Sequence, residues 1–214
     1  MFKKALILSI AVTMLEAAVF ANQPSFPDVD ETHPYLTAIE YLKTNNVIQG
    51  YADGSFGPTK TVNRAELFKI LIEGQGIFIP EAQEACFPDV PNDKWFSKYI
   101  CYGKKKGWLQ GYPDGLFHPE KTVNKVEALK MMGKVQGWTF EEAVGSKFKD
   151  ADYNDWYGPY LQYAEMKGLL PEGDKEGIFF SPGAEMSRAA ISENIFRSVA
   201  VRQLKVEKFD NQAK

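Results

Sequence analysis

Apolar residues fall at helical spacing in two kinds of segment that alternate along the chain. Leu36, Ile39 and Leu42 form one face of a first segment, and Tyr157, Tyr160, Leu161 and Ala164 form the corresponding face of a later one. The first helix is predicted to begin after Thr32, with Pro34 in its first turn, where a missing N–H costs little. Its counterparts are predicted to begin after Asp93 and Asn154. All three end at Asn46, Gly107 and Gly168, residue types that accept the left-handed backbone past a helix end. A second helix is predicted from Asn63, Asn124 and Ser187. Glu66 and Glu127 stand three residues after the two asparagines, the spacing of a reciprocal capping box, whereas Ala190 fills that place in the third copy. The last helix is expected to run through Ile195, Val199 and Val201 into a basic, poorly specified tail spanning 201–214.

Between the helices the chain is rich in turn formers. Ala52-Asp53-Gly54-Ser55 and Pro113-Asp114-Gly115-Leu116 favour tight turns, and the flanking tyrosine and phenylalanine are expected to pair as short strands. These segments recur with a period of 61 residues: Phe26-Pro27-Asp28-Val29 returns as Phe87-Pro88-Asp89-Val90, and weakly as Phe148-Lys149-Asp150-Ala151. Copies one and two share 20 identities over 46 gap-free positions, while the third needs two extra residues before Phe180-Ser181-Pro182. The repeats span 26–79, 87–140 and, in divergent form, 148–200. A unit of about 50 residues buries too little apolar surface to be stable alone. Three units sharing helix faces are therefore predicted to form one cooperative, mainly α assembly, and the short connectors near 74–86 and 137–147 agree.

Composition narrows the context. Hydrophobic residues at 44% and charged residues at 25% fit a globular chain. Lys3 and Lys4 precede an apolar run, Ala5 to Leu15, and Val19 and Ala21 precede a small-residue exit, so residues 1–21 read as a cleaved export signal. The run is too short to span a bilayer and Glu16 interrupts it, so no transmembrane anchor is expected. Losing these residues moves the net charge from −3 to −4, which gives no long-range attraction to nucleic acid. Any bound anion must be held by locally placed basic groups. The two cysteines, Cys86 and Cys101, are either a disulfide, closing a loop worth about 3 kcal/mol, or two unpaired core residues.

Phe-Pro-Asp-Val, the central Gly-Tyr-x-Asp-Gly-x-Phe-x-Pro and Val62-Asn63-Arg64-Ala65-Glu66 resemble the S-layer homology repeat. The resemblance covers 26–73, 87–134 and 148–198, and such repeats usually occur in threes. It implies a pseudo-threefold fold with one helix of each repeat in a central bundle, short β-like segments, and grooves between the prongs. It also implies non-covalent binding of a secondary cell-wall polysaccharide, often pyruvylated, through a basic side chain that corresponds here to Arg64, Lys125 and Arg188. An arginine grips a pyruvyl carboxylate with two parallel hydrogen bonds, and its place beside an N-cap sets the anion near the positive helix end. Trp95 and Trp156 either stack on a sugar face or pack a helix start. Asp28, Asp89 and Asp150 either bond backbone or touch sugar hydroxyls. Gly50 and Gly111 allow close approach of a ligand, or only a turn.

Other chemistries find little support. The Asp-Gly turns lack the regularly spaced carboxylates of a calcium loop, so no metal or other cofactor is expected. His33 and His118 occupy slots that vary between repeats, and no nucleophile accompanies them, so the chain is not expected to be an enzyme. There is no basic stripe for nucleic acid. Two readings remain: a cell-surface anchor that binds polysaccharide or peptidoglycan, and a structural envelope protein whose repeats bind a surface-layer protein or one another.

Overall fold

The computed structural model describes residues 24–80, 84–140, 147–171 and 179–210; the expected export signal, residues 1–21, lies outside them. Among the described residues there are six helices: α1 Leu36–Thr44, α2 Arg64–Gly74, α3 Ser97–Lys105, α4 Lys125–Gln136, α5 Gly158–Met166 and α6 Arg188–Leu204. Each unit contributes a short helix and then a longer one. Asn63 and Asn124 cap α2 and α4 through complete capping boxes with Glu66 and Glu127, and the Ser187 side chain caps α6 through the amide of Ala190. Asn46, Gly107 and Gly168 all take positive φ just beyond α1, α3 and α5, as their residue types foretell.

The starts of the short helices differ from expectation. α1, α3 and α5 begin after Tyr35, Phe96 and Tyr157, with no side-chain cap, rather than after Thr32, Asp93 and Asn154. A local turn wins there. In the first unit the Asp30 carboxylate accepts the amide of Thr32, and in the third the Asp152 carboxylate accepts the amide of Asn154. This arrangement delays the helix by about a turn.

The assembly closes on itself. Each short helix packs on the long helix of the preceding unit: α3 on α2, α5 on α4, and α1 on α6. The long helices meet at the centre, where α2 touches both α4 and α6. At the mouth of this bundle three backbone bonds form a ring. Val123 N–H donates to the Val62 carbonyl, Met186 N–H to that of Val123, and Val62 N–H to that of Met186. The β-like pairing is therefore between units, at the bridges Thr61–Ser187, Asn63–Thr122 and Asn124–Glu185. The tyrosine and phenylalanine beside the Asp-Gly turns do not pair as strands. Instead Tyr51 N–H meets the Ser55 carbonyl across a tight turn, and Tyr112 N–H meets that of Leu116.

Each unit also has its own aromatic keystone. Phe56, Phe117 and Phe180 are at most 1% exposed and lie 5.2, 5.4 and 5.3 Å from Phe26, Phe87 and Phe148. Cys86 and Cys101 form a disulfide that ties the connector after α2 to α3. The described part of the tail, 201–210, is more ordered than the sequence suggests. After Lys205 turns left-handed, the chain folds back so that Phe209 is buried and donates its N–H to the Lys167 carbonyl at the end of α5.

Candidate functional site

The aspartates of the Phe-Pro-Asp motif act on backbone. Asp28 accepts the amides of Phe56 and Gly57, both at 2.7 Å. Asp89 does the same for Phe117 and His118, and Asp150 for Phe180 and Ser181. Each carboxylate thus spans 28 to 31 residues and fixes the loop that ends in the buried phenylalanine. Of the two roles open to these residues, the structure shows the backbone bond. Burial works against the charged form of Asp28, but the amides of Phe56 and Gly57 outweigh it and hold the carboxyl below its ordinary range. A depressed folded pKa means the stabilisation is present above the unfolded value and is lost on acidification. The stability difference between wild type and Asp28→Asn should therefore be flat above about pH 4 and shrink as pH falls further. Chemical denaturation at several pH values measures it, and identical pH dependence in the two proteins would refute it.

The basic residues at the start of the long helices cross between units. Arg64 is 6% exposed; its Nε donates to the Phe117 carbonyl at 3.0 Å and its Nη2 to the Gln110 carbonyl at 3.4 Å. The guanidinium lies over the rings of Tyr112 and Phe117. Arg188, 8% exposed, donates from Nη2 to the Gln49 carbonyl at 2.7 Å and lies over Tyr51 and Phe56. Lys125 reaches the Phe180 carbonyl at 2.9 Å. Unit one thus pins the loop of unit two, two pins three, and three pins one. Burial lowers the Arg188 pKa, with Tyr51 and Glu66 opposing, yet an arginine remains a cation at physiological pH.

The helix N-termini are not open to an anion, contrary to the sequence expectation. The amides of Arg64 and Ala65 donate to the carbonyls of Lys121 and Pro119, and the amide of Glu66 to the Asn63 side chain. The same set recurs for Lys125 and Val126, on Ala184 and Pro182, and for Arg188 and Ala189, on Lys60 and Pro58. The first-turn amides hold the neighbouring unit.

Two grooves open beside these arginines and are copies of each other. One, of about 200 Å³, is lined by Gln49, Gly50 and Tyr51 of unit one, with Glu66 and Lys69 on its floor helix. Trp95 of unit two and Arg188 of unit three close it. The other, of about 210 Å³, has Gln110, Gly111, Tyr112, Glu127 and Lys130 from unit two, closed by Trp156 of unit three and Arg64 of unit one. Trp95 and Trp156 are 51% and 55% exposed, so they form rims rather than packed helix starts. Lys69 and Lys130 lie 6.0 and 5.1 Å from those rings. Gly50 and Gly111 are needed for packing: a Cβ there would come within 2.9 Å of Phe26 or Phe87 and press on the carbonyl of Ser55 or Leu116. In the second groove the Tyr112 hydroxyl donates to Glu127 at 2.7 Å, and its pKa is raised by burial and by that bond.

Unit three lacks this set. Pro34 stands where the tryptophan would be, Ala190 replaces the glutamate, and Glu193 takes the lysine position, buried against Arg197 at 2.7 Å. The groove residues that sequence reasoning passed over are Gln49, Tyr51, Lys69 and their counterparts Gln110, Tyr112, Lys130. All are identical between copies one and two, the signal that could have marked them.

Among the described residues no helix is long and apolar enough to cross a membrane. The S-layer homology domain model matches residues 25–68 and 87–129, the first two units. The cellulosome-anchoring protein of Acetivibrio thermocellus is 29% identical over 137 residues, covering 62% of this chain and 30% of that protein. S-layer protein EA1 of Bacillus anthracis is 32% identical over 143 residues, covering 62% and 16%. An uncharacterized cell wall amidase of the same organism is 34% identical over 111 residues, covering 52% and 20%. The chain spans less than a third of the length of each of these relatives. Through residues 25–68 and 87–129, the chain belongs to the S-layer homology family.

Proposed function

We propose that this chain is a non-catalytic anchor that holds non-covalently to a cell-wall polymer by taking saccharide into the two inter-unit grooves. Membership of the family sets it at the cell surface in association with the cell wall. The observation that carries the reading is that two grooves, built from three different units, present the same tyrosine, glutamate, lysine, tryptophan and arginine in corresponding places. An exposed tryptophan offers a sugar a stacking face. The adjacent lysine, together with the arginine Nη1 that the carbonyl bonds leave over, suits a carboxylate such as a pyruvyl ketal on a secondary cell-wall polysaccharide. Unit three, read as a divergent third repeat over 148–200, mainly completes the bundle and supplies Trp156 and Arg188.

The test is co-sedimentation of the mature protein with purified sacculi, before and after acid removal of the secondary polymer. Binding lost on stripping supports polysaccharide recognition, and unchanged binding points to peptidoglycan; no binding to either refutes the anchor. Trp95→Ala and Trp156→Ala should each weaken pelleting about fivefold, from about 1 kcal/mol of lost stacking. Because both side chains are exposed, the thermal midpoint should hardly move. A second reading, contact with a surface-layer protein, is favoured by the exposed Phe140 and Met166 beside a cavity of about 140 Å³.

A further inference from the structure

The other side of Trp95 holds a second cavity, larger than either groove, at about 480 Å³. Lys69, Lys94 and Lys98 line it with Trp95, Asn92 and Ser97, and no carboxylate does. Lys69 stands 3.8 Å from Glu73, whose carboxylate also accepts the Tyr99 hydroxyl at 2.6 Å. Three ammonium groups therefore gather in one concavity of a chain whose net charge is −3. Their mutual repulsion is relieved when an anion enters. Lys69 and Trp95 belong to both this cavity and the groove at Tyr51, so the two are continuous over the tryptophan rim. The neighbourhood of Trp156 is built differently. Asp155 replaces Lys94 and Pro159 replaces Lys98, leaving only Lys130 as the counterpart of Lys69. The basic cavity thus belongs to one rim, not to the repeat pattern.

We propose that this cavity is a second subsite, selective for a polyanionic glycan that crosses Trp95 from the groove. The path over Trp95 rests on the anchor reading; the anion preference rests on the three lysines. Phosphate and carboxylate substituents share the chemistry, and two probes separate them: a poly(glycerol phosphate) oligomer and tetragalacturonate, with chitotetraose as the neutral control. Isothermal titration should show the wild type binding at least one anionic probe better than the neutral one. Lys94→Asp/Lys98→Ala, which copies the acidic residue of unit three, should lose at least tenfold of that affinity, and Lys105→Ala, at an exposed lysine that lines neither the grooves nor this cavity, should lose none. Both substituted lysines are exposed, and the thermal midpoint checks that the fold is intact. Equal binding by the double variant, equal binding of the neutral probe, or no binding of either anionic probe overturns the proposal. Sacculus pelleting by the same double variant reports on the anchor separately, since both grooves keep their arginine and tryptophan.

Discussion

Glu193→Ala is expected to cost about 3–5 kcal/mol, the largest loss from any single polar substitution in this chain. Glu193 and Arg197 lie one turn apart on α6, both fully buried, with Nε and Nη2 of the arginine 2.7 Å from the same carboxylate oxygen. Arg197 also donates Nη1 to the carbonyls of Gly168 and Leu170, holding the segment after α5 against the central bundle, and its guanidinium lies over Phe209. Removing the glutamate leaves a guanidinium in the interior without this counter-charge, and desolvation then goes uncompensated. The thermal midpoint should fall by roughly 6–20 °C, taking 2–4 °C per kcal/mol for a chain of this size. Glu193→Leu/Arg197→Leu, which removes both charges and refills the volume, should cost clearly less than the single change. A single variant as stable as wild type would mean that the pair lies in water rather than in the core.

Arg64→Ala is expected to cost about 3 kcal/mol, by loss of charge-assisted bonds to the Phe117 and Gln110 carbonyls, the first of them buried, and of the ring contacts beneath them. It should weaken pelleting as well, because the same side chain shapes the groove at Tyr112. The structure thus revises what such a variant reports: reduced binding alone does not identify a ligand contact. Arg64→Lys separates the effects. Lys125 shows that a lysine here still reaches the phenylalanine carbonyl, so Arg64→Lys should keep most of the stability while losing the spare Nη1 donor that the proposed carboxylate contact uses. Chemical denaturation run beside pelleting measures both quantities, and an Arg64→Ala protein of unchanged stability would show that the pins between units carry no weight.

What could be read in advance was local. Asn63 with Glu66, Asn124 with Glu127, and the left-handed residues after the short helices are signals contained within four or five residues, and all appear in the structure. The starts of two short helices were misplaced because Asp30 and Asp152 tie up the backbone and side chain of Thr32 and Asn154 in local turns, so those side chains do not cap a helix. The arginines stand out in the sequence, but not where they point, since Arg64 and Arg188 meet carbonyls 46 and 139 residues away. No local pattern encodes that. The Glu193–Arg197 pair was visible as an i,i+4 match, yet such spacing ordinarily marks a solvated helix face. Only the closure of the bundle around α6 makes it interior.

The ring of Val62, Val123 and Met186 amides has a consequence for the order of events during synthesis and export. A chain emerging from its N-terminus normally folds its early portions first. Here the earliest helix, α1, packs on the last, and the groove at Tyr51 has no Arg188 wall until α6 is in place. The first unit therefore waits for α6 before it can cover the apolar face of α1 or complete its groove. A product truncated before Arg188 would lack one wall of the groove at Tyr51, while the groove at Tyr112, lined by Arg64 and Trp156, would keep its lining residues.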